Sequence, residues 1–187
     1  MEKTRVGIMG CAAIAKRSLA PAYAAHPSFQ LTAIASRTAE KAQEFAVQYG
    51  ARSCSYDELV TANDVDLIYC PLPTGLHAEW VEKCLLAAKH VLCEKSLAST
   101  YEEVSHLVEL ARARHLLLME SFQFRFHAQN LYVKKLLQEG PIGPLRQVVI
   151  RFGIPPFPEG AAKSGRAVKA RVVVILPSFP QISYPFW

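Results

Sequence analysis

The stretch over residues 5–15, Arg-Val-Gly-Ile-Met-Gly-Cys-Ala-Ala-Ile-Ala, constrains this chain more than any other. Its apolar run, residues 6–9, predicts a buried parallel strand, and Gly10 ends that run where an alanine-rich helical pattern over about 12–25 begins. A strand, a tight turn and a helix start bring unpaired N–H groups and the positive end of a helix dipole to the strand end, which suits a pyrophosphate. The dinucleotide fingerprint Gly-x-Gly-x-x-Gly is reduced here to Gly10-Cys11-Ala12-Ala13-Ile14-Ala15, so only the first glycine survives. Both replacements are alanine, the smallest side chain available, and close approach of a phosphate to the backbone stays open. Taken alone, the stretch fits an ordinary strand-to-helix turn equally well.

Further along, residues 30–36, 66–70, 90–93 and 116–119 read as strands, and residues 39–49 as a helix stopped by Gly50. Ser55-x-x-Glu58 and Ser99-x-x-Glu102 have the capping-box pattern. Thr74 is placed to cap a helix over 76–89, with Val81, Cys84, Leu85 and Ala88 on one face. The whole is read as six apolar strands alternating with five helical segments. That pattern specifies an α/β fold, a Rossmann-type doubly wound parallel sheet with helices on both faces. Ligands of such sheets bind beyond the strand carboxyl ends, where the loops at Gly10, Ser36, Pro71, Glu94 and Glu120 all fall. A helix over 125–139, stopped by Gly140-Pro141, and a strand over 145–154 then open a second, α+β domain.

At the end of the second strand an Asp or Glu would bind the adenosine ribose of NAD. The residues are instead Ser36-Arg37-Thr38. Arg37 offers a guanidinium to a 2′-phosphate or to the adenine face, and the two hydroxyls offer donors, so NADP(H) is favoured over NAD(H). The plainer alternative is that Arg37 solvates a loop.

Composition narrows the setting. Five cysteines, at 11, 54, 70, 84 and 93, lack Cys-x-x-Cys or any zinc-type spacing, which points to a reducing cytoplasm and to no metal site. No apolar run approaches membrane-span length or follows signal-peptide grammar, so no membrane partner is expected. The net charge of +5 comes from one end: residues 161–187 hold Lys163, Arg166, Lys169 and Arg171 and no acid. Without a nucleic-acid-binding pattern, that excess gives no reason to expect a DNA or RNA partner.

Four segments together carry a resemblance: Val-Gly-Ile-Met-Gly-Cys-Ala-Ala-Ile-Ala, Ala-Ile-Ala-Ser-Arg-Thr, Asp-Val-Asp-Leu-Ile-Tyr-Cys-Pro-Leu-Pro-Thr-Gly-Leu-His-Ala-Glu-Trp, and Lys-His-Val-Leu-Cys-Glu-Lys. In that order and spacing they resemble the glucose-fructose oxidoreductase / inositol dehydrogenase (Gfo/Idh/MocA) family from about residue 4 to about residue 160. Residues 152–160, Phe-Gly-Ile-Pro-Pro-Phe-Pro-Glu-Gly, resemble its NDP-3-keto-6-deoxyhexose 3-ketoreductase branch, which serves deoxysugar biosynthesis. The resemblance implies an NADP-dependent oxidoreductase acting on a sugar or sugar nucleotide. It assigns Lys95 the catalytic lysine of the Glu-Lys-Pro motif, and Glu94 the nicotinamide pocket. It places Leu72, Pro73 and His77 along the cofactor beside Gly10, Cys11, Ala12, Ala13, Ile14, Ser36 and Arg37, and turns Arg125 and His127 toward the sugar. Read without it, Glu94 and Lys95 make a surface ion pair, and the two histidines are ordinary helix residues.

Two departures follow. Ser96 stands where the motif has proline, a ring that would fix the chain after Lys95, so Lys95 is expected to be less firmly aimed. From residue 161 the family's later motifs and its large open sheet are absent, and acidic residues vanish at the same point. Members often pair through that sheet, so the sequence sets no oligomeric state. The expected organisation is a nucleotide-binding domain over 1–121, the start of a substrate domain over 122–160, and a poorly ordered basic and apolar tail over 161–187. The tail is read as translated out of the ancestral frame, a truncation that puts turnover in doubt. Its run 172–176 is expected to find no sheet to join. Tyr184 receives no catalytic role.

Overall fold

Six parallel strands lie in the order β3-β2-β1-β4-β5-β6, the doubly wound arrangement expected of alternating strands and helices. The structure is a computed structural model that describes residues 2–141, 143, 147–152 and 170–175. It divides into two compact units, the first ending at Phe122 and the second beginning at Gln123.

In the first unit the elements are β1 (Thr4–Met9), a π-helical turn (Ala15–Leu19) running into α1 (Ala20–Ala25), β2 (Phe29–Ala35), α2 (Ala39–Val47), β3 (Arg52–Cys54) and α3 (Tyr56–Thr61). There follow β4 (Leu67–Cys70), a 3-10 turn (Thr74–Leu76), α4 (His77–Leu86), β5 (His90–Cys93), α5 (Tyr101–Ala113) and β6 (Leu118–Glu120). Buried parallel strands are apolar on both faces because helices cover both. Val6, Ile8 and Tyr69 pack on one side with Ala15, Ala20 and Phe45. Met9, Ile68 and Cys70 pack on the other with Leu59, Val81, Leu85 and Leu107. Gly7 is set by that packing: a Cβ there would lie 2.6 Å from Leu59 Cδ1.

Several boundaries differ from the sequence reading, each for a local reason. The sixth strand is Arg52–Cys54, covered by none of the apolar runs; it pairs with β2 at the sheet edge. The second capping box sits one residue later, where Thr100 Oγ1 accepts from the Glu103 amide and the Glu103 carboxylate accepts from the Thr100 and Ser99 amides. Thr74 does not cap α4, because the 3-10 turn intervenes and α4 starts at His77. Ala88 lies past the end of α4 in left-handed backbone, off the buried face.

The second unit, taken by itself, has a 3-10 turn (Gln123–Phe126), α6 (Ala128–Glu139), β7 (Gln147–Phe152) and β8 (Ala170–Ile175). Gly140, at φ +75°, closes α6 through a bond from its amide to Leu136 O. The expectation that 172–176 finds no sheet is corrected: β8 pairs antiparallel with β7, Val172 opposite Ile150 and Val173 opposite Val149. The motif over 153–160, Leu176 and Tyr184 lie outside the described residues.

Candidate active site

Strand order reverses between β1 and β4, so their carboxyl ends flank the crevice where doubly wound sheets take ligands. Gly10 leaves β1 with φ +114°, its amide bonded to Ala35 O at 2.8 Å. A Cβ at Gly10 would sit 3.0 Å from Leu72 Cδ2, so the loop after β4 lies directly against the turn after β1. Only glycine leaves the backbone accessible in such a position. Cys11, Ala12 and Ile14 are half-buried and Ala13 is exposed, so small side chains continue the surface into the helix start. Burial raises the Cys11 thiol above its ordinary range, and its Sγ contacts Lys41 O at 3.4 Å.

Beside this turn, Ser36 and Arg37 line a cavity of about 350 Å³ together with Ala39, Ala42, Ser53, Cys54, Ser55 and Glu58. The Glu58 carboxylate is spent within its own helix cap, where Oε2 accepts from Ser55 N at 2.7 Å and from Ser55 Oγ at 2.8 Å. Those bonds hold its carboxyl below the usual range. The exposed Arg37 therefore gives the cavity its cationic side. A guanidinium beside hydroxyls in an open cavity fits a phosphate ester, and the Gly10 turn fits a pyrophosphate.

The loop after β5 carries Glu94, Lys95 and Ser96. Glu94 is buried, and its Oε1 accepts from Tyr69 Oη at 2.8 Å; burial, and after it that bond, drives the Tyr69 phenol well up. The amide of Leu97 donates to Glu120 Oε1 at 2.9 Å. Lys95 lies between these anchors with its side chain exposed, and no ion pair joins it to Glu94. The Lys95–Ser96 peptide is cis. Ser96 brings no ring, yet the segment is fastened by hydrogen bonds from both sides.

His77 behaves unlike a rim residue. It is fully buried, with Nδ1 2.7 Å from Ser96 O and Nε2 2.7 Å from Leu72 O. Cys70 Sγ, Cys93 Sγ and a ring nitrogen of His77 come within 4.8 Å of one another. Both nitrogens are already engaged by carbonyls, so this trio is not arranged to take a metal. Cys70 and Cys93 are paired across β4 and β5, and the bond to Cys70, with burial, pushes the Cys93 thiol well up. All five cysteines are free thiols.

Arg125 and His127 belong to the second unit. Arg125 lines a cavity of about 180 Å³ with Phe126, Asn130, Leu131 and Lys134. His127 is the N-cap of α6, its Nδ1 accepting from Gln129 N at 3.2 Å. Tyr69 escapes the sequence reading of the site, which places the Glu120 loop on the ligand rim but gives its carboxylate no role. A tyrosine inside an otherwise apolar strand was the available signal, since a buried hydroxyl needs a partner. Among the described residues no helix is long and apolar enough to cross a membrane.

Known proteins carry the same architecture. A 3-ketoreductase from Actinomadura kijaniata, KijD10, solved with NADP and TDP-benzene, is 43% identical with TM-score 0.75, covering 85% of this chain and 49% of its own. The dTDP-3,4-didehydro-2,6-dideoxy-alpha-D-glucose 3-reductases of Actinomadura kijaniata and Saccharopolyspora spinosa are 45% and 43% identical over 157 and 156 residues, in each case 83% of this chain. The chain spans about half the length of these curated relatives, 47% in both cases. Over residues 4–122 the sequence matches the profile of the oxidoreductase family with an NAD-binding Rossmann fold, and the chain therefore belongs to the Gfo/Idh/MocA family.

Proposed function

We propose that the first unit holds NADP(H) along the loops after β1, β2, β4 and β5, and that the protein is by activity a 3-ketoreductase acting on a sugar nucleotide in deoxysugar biosynthesis. The carrying observation is the cavity at the end of β2, which offers Arg37 and Ser36 where an NAD-binding site would offer a carboxylate. Gly10 and the small residues after it would take the pyrophosphate, Arg37 and Ser36 the 2′-phosphate, and Leu72, Pro73 and Glu94 the nicotinamide end. Bound there, the cofactor supplies or accepts the hydride. Lys95 hydrogen-bonds the reacting carbonyl oxygen through its ammonium and gives it a proton as negative charge develops. Glu94 and Glu120 hold the loop that presents Lys95. Arg125 and His127 are assigned to the sugar side. The substrate class follows the relatives, whose names specify dTDP-linked keto-deoxysugars and whose crystals hold TDP-benzene.

Fluorescence titration with NADPH and NADH tests this. NADPH binds more tightly to the native protein, and Arg37→Ala weakens NADPH by about tenfold to a hundredfold while leaving NADH little changed, as expected for a lost charge-assisted bond. Absence of affinity for either nucleotide overturns the proposal. A second reading, nucleotide binding without turnover, keeps the Gly10 turn and the Arg37 cavity as the nucleotide site and gives Lys95 no role. Hydride transfer from NADPH to a dTDP-linked 3-keto sugar, present or absent, separates the two.

A further inference from the structure

We propose that His77 is a positioning residue: its imidazole joins the loop that abuts the Gly10 turn to the peptide that carries Lys95, so that bound nucleotide and the Lys95 ammonium are set as one unit. The proposal rests on the reading above that a pyridine nucleotide lies against the Gly10 turn. His77 opens α4 and is fully buried, so its ring orientation is fixed by the protein. Its nitrogens span two loops that follow neighbouring parallel strands, Nε2 reaching Leu72 O after β4 and Nδ1 reaching Ser96 O after β5, both at 2.7 Å. Carbonyl oxygens only accept, so whichever ring nitrogen carries the proton in the tautomer present donates to its carbonyl, and the ring is held against both oxygens.

At one end of this bridge the Leu72 side chain closes on Gly10, 3.0 Å from where a Cβ would stand. At the other end Ser96 is the residue after Lys95. The flanking bonds, Tyr69 Oη to Glu94 and Leu97 N to Glu120, fix the loop on either side of Lys95, but neither touches the nucleotide-facing loop after β4. His77 is the link between the two. A displacement of Leu72 on nucleotide binding is thereby passed to the Ser96 carbonyl and to Lys95. Proline, with its rigid ring, would fix this peptide locally; here a side chain from the preceding helix does so.

The test uses the full chain, reductively methylated with 13C, with the Lys95 resonance identified by its loss in Lys95→Arg. In the native protein NADP shifts that resonance. His77→Gln places an amide donor near the Nε2 position and keeps Leu72 O, while His77→Asn places one near Nδ1 and keeps Ser96 O. Each leaves one end of the bridge, so each is expected to bind NADP within about tenfold of the native protein yet lose most of the Lys95 shift. A variant that folds, binds NADP and still shows the native shift overturns the proposal and makes His77 a packing residue. If the native protein binds no NADP, the nucleotide reading itself fails. If it binds NADP without moving the Lys95 signal, this inference alone fails.

Discussion

Helices α5 and α6 are nearly equal in length, thirteen and twelve residues, yet only one is held by a core. In α5, Leu107 and Ala111 are buried against the sheet, and a complete capping box starts the helix. In α6 no described residue is buried, and Leu131, Tyr132 and Val133 stay 49%, 61% and 46% exposed. Short helices gain most of their stability from tertiary burial rather than from propensity. The first unit therefore has a core of its own, while α6 leaves Leu131, Tyr132 and Val133 largely uncovered and half-buries only Leu136 and Leu137 among its leucines.

Cutting the chain between Phe122 and Gln123 should produce the largest effect. Residues 1–122 alone are expected to unfold cooperatively in urea and to bind NADPH within a few-fold of the full chain, about 1 kcal/mol in binding free energy. Residues 123–187 alone are expected to show no cooperative transition by circular dichroism. A sharp transition in the second piece would break the contrast.

A pair of glycine replacements sharpens it. Gly7→Ala places a methyl 2.6 Å from Leu59 Cδ1 and 3.1 Å from Val65 Cγ1, both on fully packed side chains, and should destabilise the protein by about 2 kcal/mol. Gly140→Ala meets nothing within 4 Å and bears only the strain of φ +75°, about 1 kcal/mol. That strain falls on α6, so thermal melting of the first unit should not register it. Equal shifts in melting temperature for the two variants would break the contrast between the packed strand and the exposed helix end.

The same contrast explains what the sequence made legible. The apolar runs leading to Met9, Ala35, Cys70 and Cys93 announced themselves because parallel strands buried on both faces cannot be polar, and the glycine, serine and lysine positions followed from where those runs end. β3 was hidden because Arg-Ser-Cys is a three-residue edge strand, held by pairing to β2 and by the Arg52–Asp64 ion pair rather than by its own burial. His77, expected along the cofactor with Leu72 and Pro73, meets Leu72 through the main chain, its Nε2 2.7 Å from Leu72 O. A ring reaching two carbonyls depends on the path of both loops, which no spacing of residue types records. β8 escaped notice because a valine run discloses its propensity and not its partner; β7 supplies one across an intervening seventeen residues.

The smallest effect concerns ion pairs. Arg5 grips Asp66 with its amide, Nε and terminal nitrogen, and this holds the Asp66 carboxyl at about 2, below its ordinary 3.8. Because the folded value is the lower one, the pair stabilises the fold above about pH 4, and that contribution is lost as pH falls through about 2. The two side chains are 40% and 35% exposed, so solvent screening reduces the effect of Asp66→Asn at pH 7 to about 1 kcal/mol. Urea melts at pH 7 and pH 3 should show the gap between native and variant protein narrowing toward acid. In the second unit, Lys135 and Glu139 stand 3.7 Å apart and are 64% and 57% exposed, so Glu139→Gln should change neither midpoint nor pH dependence. A pH-dependent loss there would mean that α6 is held by its charges, and that the two helices differ in what stabilises them rather than in how much.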